Sequence, residues 1–85
     1  MSRAQRAQQQ RLAKIMLRQA MRMSHFSNDQ LRQLAADPGH RSDMEQVLAD
    51  SKAALTAARW SVARCMLAGE TRRLERALNA PGIAA

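Results

Sequence analysis

Tyrosine is missing from this chain of 85 residues, and its other aromatics are one Phe and one Trp. A platform for single-stranded nucleic acid needs several aromatic faces to stack bases, so that class is disfavoured. β-branched residues are also scarce, and nothing in the composition supports a sheet. The three glycines are scattered and make no phosphate-holding loop. Cys65 is the one cysteine, which rules out an internal disulfide and reads as a reduced, cytoplasmic chain. Long apolar runs are absent too. Ile15-Met16-Leu17 is the longest near the start, far short of the roughly 20 residues that cross a bilayer. Met1-Ser2-Arg3 is followed by no apolar stretch of the kind a signal peptide requires.

Catalytic and metal-binding constellations are equally hard to assemble. His25, His40 and Cys65 lie far apart and have no zinc-ligand spacing. Neither His carries the surroundings of a nucleophile–base pair. Asp29, Asp43 and Glu45 sit at expected helix starts, where capping explains them. The expectation is a protein without enzymatic activity, metal or cofactor.

One further absence is the most informative. The first 26 residues hold no acid but six cations: Arg3, Arg6, Arg11, Lys14, Arg18 and Arg22. The net charge of the whole chain is +7. A positive field of this kind attracts an acidic protein face, nucleic acid or an anionic membrane.

What is abundant is Ala, Arg, Gln and Leu, all strong helix formers. The excess of Arg over Lys, with so much Ala, reads as a GC-rich bacterial or phage gene. The expected fold is all-α: one domain over residues 1–80 and a flexible tail over 81–85. Two long helices form an antiparallel hairpin with a short helix between them. Such a short chain has a thin core, which favours help from a second copy.

The first helix is expected from about Ser2 to Ser24, with Leu12, Ile15, Met16, Met23 and Phe26 on its core side. Arg11, Lys14, Arg18 and Arg22 follow at steps of three, four and four, and His25 extends the row. Leu17 and Met21 flank this cationic strip. Ser27-Asn28-Asp29-Gln30 has capping-box form and opens the short helix. Asp37-Pro38-Gly39 is expected to stop it. A second capping box, Ser42-Asp43-Met44-Glu45, is expected to start the last helix. Met44, Leu48, Ser51, Leu55, Ala58, Val62, Cys65 and Gly69 then follow a heptad spacing. Leu48, Ser51, Leu55, Ala58, Val62 and Cys65 are the candidate self-association residues. Cys65 reads as a small buried thiol. Ala53, Ala57, Trp60 and Leu67 form a second stripe, with Trp60 a core anchor. Leu74 and Leu78 continue the spacing, whether or not the helix breaks at Gly69.

The candidate partner-binding residues are Arg11, Lys14, Arg18, Arg22, Leu17, Met21 and Trp60. Arginine grips carboxylates two-pronged, so an acidic protein surface is the favoured partner and a regulatory or adaptor role the favoured function. Nucleic acid gripped through its phosphates by the same strip is the alternative. Asp43 and Glu45 would repel phosphate where a helix-turn-helix touches bases. A membrane surface fits less well, because the opening turns of the first helix are polar. The bland alternative is a solvated face neutralised by Asp43, Glu45, Asp50 and Glu70 of the last helix.

Overall fold

The computed structural model describes residues 2–80, and among them are four helices and no strand. They are α1 (Arg3–Ser24), α2 (Asn28–Ala36), α3 (Pro38–Ala57) and α4 (Val62–Asn79). The tail expected over residues 81–85 lies outside the described part.

Two helix starts follow directly from local sequence. Ser2 Oγ accepts the Gln5 N–H at 3.2 Å, and Gln5 Oε1 accepts the Ser2 N–H at 3.1 Å. Ser27 and Gln30 exchange the same pair of bonds at 3.1 and 2.8 Å to open α2. Each box satisfies two backbone donors that a helix start leaves open.

The start of α3 differs from expectation. Pro38, the first residue of α3, needs no N–H there, and Asp37 is the cap, its Oδ2 accepting the His40 N–H at 3.0 Å. Asp37-Pro38-Gly39 therefore ends one helix and begins the next, with no connector. The box expected over residues 42–45 lies inside α3, where Glu45 instead pairs with Arg41 at 3.2 Å.

The long last helix is also interrupted. Residues 58–61 leave helical form, and Ser61 caps α4 by accepting the Arg64 N–H at 3.1 Å. The interruption is held from a distance. Gln9 of α1 donates through Nε2 to the Ala57 carbonyl at 3.2 Å and accepts the Arg59 N–H at 2.8 Å. Gly69 is an ordinary position within α4.

α3 and α4 form an antiparallel hairpin, with Arg64 beside Leu55 at its turn and Arg41 beside Leu78 at its open end. α1 lies chiefly along α4 and touches α3 more sparingly. It runs parallel to α4: Gln9 meets the turn before α4, and the Phe26 carbonyl meets Arg73 further along it. α2 braces the open end against α3 and α4.

Met16, Ala20 and Met23 of α1 pack with Leu31, Met44, Leu67, Leu74 and Leu78 to make the core. Ser51 is fully buried and receives the Gln19 amide at 2.8 Å, tying α1 to α3. Thr71 is buried and donates to the Leu67 carbonyl at 2.6 Å.

The break at residues 58–61 resets which side of the chain faces inward. Leu67 is buried, whereas Ala53, Ala57 and Trp60, expected on its stripe, are exposed. Trp60 is 76% exposed and is no core anchor. Cys65 is likewise exposed instead of buried. Ile15 and Phe26 also depart from expectation: Ile15 lies beside the cationic strip and Phe26 in the turn after α1, and both are exposed.

Three arginines close helix ends from outside. Arg41 donates to the Ala35 carbonyl at 3.3 Å and to the Leu78 carbonyl at 2.7 Å, joining the C-terminal ends of α2 and α4. Arg64 donates to the Leu55 carbonyl near the end of α3 at 3.2 Å. Arg73 donates to the Phe26 carbonyl and to Asn28 Oδ1, holding the turn between α1 and α2. A cation suits the negative end of a helix as well as its open carbonyls.

Replacing Arg41 by Met, which keeps the apolar stem, should destabilise the fold by about 1–2 kcal/mol, because two charge-assisted bonds are lost from a half-exposed group. Urea denaturation checks this against Arg59→Met, which should change little. Asp37 supplies a second check. The His40 backbone N–H, and then the His40 ring 2.7 Å away, hold its carboxyl below the ordinary aspartate value of 3.8. The cap's contribution is thus fully present above that value and is lost as pH falls through the lower folded-state value. Asp37→Asn still caps but does not titrate, so its urea midpoint should fall less between pH 5 and pH 2 than that of the wild type.

Candidate protein-docking surface

α1 is a regular helix through the whole cationic segment, and Arg11, Lys14, Arg18 and Arg22 are all exposed. At about 100° per residue, the centre of their row lies about 160° from that of Met16, Ala20 and Met23. The strip therefore faces away from the core. Leu17 and Met21 border it on one side and Ile15 on the other, each about half exposed. Residues 3–8 precede the Gln9 contact and are all exposed, so the opening turns project beyond the α3–α4 turn. This projection contributes to a molecule 53 Å long and only 18 by 15 Å across.

The distribution of partners decides how much of this charge is available. Of the fourteen Lys and Arg, six are on α1, which has no acid; the other eight share α2 to α4 and their turns with all seven Asp and Glu. Five of those acids pair with cations outside α1, four of them within one helical turn. Asp29 binds Arg32, Asp37 binds His40, Glu45 binds Arg41, Glu75 binds Lys52 at 3.3 Å, and Glu70 binds Arg73. Asp50 accepts from Gln46 at 2.9 Å. Among the described residues, none of the six cations of α1 is in an ion pair. Asp43, Glu45, Asp50 and Glu70 do not neutralise the strip.

The remaining candidates are divided. Trp60 stands exposed in the α3–α4 turn. Ser51 is buried, and Leu48, Leu55 and Ala58 pack against the core, whereas Val62 and Cys65 face solvent. These six do not share one surface. Val62 and Met66, 68% and 42% exposed, are apolar surface on α4. Met66 had no signal in the spacing, because its exposure depends on where the break falls.

A cleft of about 270 Å³ at the start of α2 is lined by Asn28, Arg32, Arg73 and Arg76. Arg32 and Arg73 are already engaged there by Asp29 and Glu70. Among the described residues, no three of His, Cys, Asp and Glu gather closely enough to hold a metal ion. No described helix is long and apolar enough to cross a membrane.

No family model, curated protein or solved structure matches the chain. The surface itself therefore carries the functional reading.

Because Arg18 and Arg22 are exposed and unpaired, reversing both to Glu should leave helicity unchanged and stability within about 1 kcal/mol of wild type. Circular dichroism with thermal unfolding measures both.

Proposed function

We propose that the chain is a non-enzymatic cytoplasmic regulator or adaptor that binds an acidic face of a larger protein or assembly through α1. The observation that carries this reading is the unshared charge of α1: six cations on one helix, while five of the seven acids pair with cations outside α1. Charge of this kind accelerates encounter and fixes orientation. Arg11, Lys14, Arg18 and Arg22 supply the ionic contacts. Leu17 and Met21, half exposed beside them, supply apolar anchoring, to which methionine adapts readily.

The apolar border favours a protein over nucleic acid, since a phosphate backbone offers Leu17 and Met21 nothing to bury against. Self-association would have to use exposed apolar residues such as Trp60, Val62 or Met66, because Ser51, Leu48, Leu55 and Ala58 are turned inward. The proposed binding role does not require it.

Copurification from native lysate, with and without nuclease, tests the proposal. A protein partner should be retained after nuclease and lost with Arg18→Glu/Arg22→Glu. Capture unaffected by the double reversal refutes the assignment to α1. A parallel titration with generic duplex DNA and RNA addresses the other reading. Binding at roughly micromolar levels that weakens steeply with salt would replace the acidic protein by phosphate.

A further inference from the structure

The rotational order of α1 and α4 puts their exposed apolar residues on the same side of the seam between them. Gln19 fixes the side of α1 that faces α3, through Ser51. The core residues Met16 and Ala20 come next around the helix, and Leu17 and Met21 lie beyond them, on the side away from α3. On α4, Arg64 and Glu75 fix the side that faces α3, through Leu55 and Lys52. Leu67 and Leu74 come next, and Met66 and Val62 lie beyond them, again away from α3. Because α1 and α4 run parallel, these two sets border one seam from opposite sides. Small residues at Ala13, Ala20 and Ala63 lie on the packed faces, which suits a close approach of the two helices.

Glu70, on the seam side of α4, is paired with Arg73; the exposed and unpaired charge around the seam has one sign. On α1, Lys14 and Arg18 follow Leu17 and Met21 outward. On α4, Arg72 and Arg76 lie outward of Val62 and Met66, with exposed Cys65 between. All four cations are exposed, and among the described residues none is in an ion pair. Up to the Glu70–Arg73 pair, the surface thus runs basic, apolar, basic across its width.

We infer that this seam is a docking groove for one acidic amphipathic helix of a partner protein. Its apolar row lies on Leu17, Met21, Val62 and Met66, and its carboxylates on the basic rows at either side. The inference rests on the reading that α1 binds an acidic protein, and adds where the partner's apolar side goes and what form it has. Val62 to Glu70 spans about 12 Å at 1.5 Å per residue before Arg73 crosses to Phe26 and Asn28, so the groove accommodates about two turns of helix. A second copy of this chain fits poorly, since it would set basic rows against basic rows. A bilayer fits poorly as well, since Leu17 and Met66 are only 40% and 42% exposed and sit half sunk between the helices.

The test uses a fluorescently labelled synthetic 18-residue peptide with Leu along one face, Glu on both flanks and Ala elsewhere. A shuffled isomer of the same composition is the control. Anisotropy should show binding of the amphipathic peptide and at least tenfold weaker binding of the isomer. Met66→Glu, and independently Val62→Glu, should weaken binding at least tenfold with helicity retained. Ile15→Glu, equally exposed but on the other flank of α1, should leave it within twofold. Loss on Arg18→Glu/Arg22→Glu with no effect of either α4 variant overturns the groove while α1 keeps its role. No binding of the peptide, equal binding of the isomer, or an equal effect of Ile15→Glu overturns the groove outright. So does binding to phosphatidylglycerol vesicles in place of the peptide. Sedimentation of the wild type as a dimer that Met66→Glu dissociates overturns it in favour of a second copy.

Discussion

The fold depends on side chains that reach across the bundle to close helix ends. A helix leaves several backbone groups open at each terminus, and a small chain has little core with which to bury mistakes. Here Gln9 closes the α3–α4 turn, Arg64 the last carbonyls of α3, Arg73 the α1–α2 turn, and Arg41 the ends of α2 and α4 together. Most of these bonds join elements that are distant in sequence. They do locally what a larger core would do by bulk: they set the position at which each helix stops and the neighbour against which it lies.

This use of arginine divides the cations into two populations. Arg41, Arg64 and Arg73 are held by carbonyls, and Arg32, Lys52, Arg41 and Arg73 by carboxylates. These groups belong to the architecture. The cations of α1 have no such duty, and α1 is the helix on which no acid occurs. The helix that needs least from its polar side for folding is therefore the one with most charge left to offer. Its inward side does the structural work through Gln9, Met16, Gln19, Ala20 and Met23.

The same division accounts for what the sequence revealed and what it hid. Features made by neighbours in the chain were legible. The capping box at Ser27 opens α2, and α1 starts near Ser2 as expected. The spacing of Arg11, Lys14, Arg18 and Arg22 needs only a helix to become a row, and α1 supplies it. Asp37-Pro38 was written in the chain but has two meanings, since proline disfavours helix behind it and favours a start at its own position. The break at residues 58–61 was hidden, because the groups that hold it belong to Gln9, about fifty positions away. The expectations for Trp60, Val62 and Cys65 inherited that error. An unbroken helix would carry the inward side of α3 on to Val62 and Cys65. The interruption turns α4 instead, so that Leu67 and Leu74 fill the core and Val62, Cys65 and Met66 face out.

That rotation also changes what the molecule presents outward. Had α3 run on unbroken, Val62 would have followed the inward side of α3, and the apolar border of the charge would have been confined to the residues of α1. A purely ionic surface steers a partner but discriminates weakly, since exposed ion pairs are screened by salt and contribute little individually. Adding half-sunk apolar residues changes the balance. Their burial is insensitive to salt and depends on shape, so an acidic partner of the kind proposed would have to match both the basic rows and the apolar row. Gln9, by holding the break open, thereby links the stability of the fold to the composition of the surface that the fold presents.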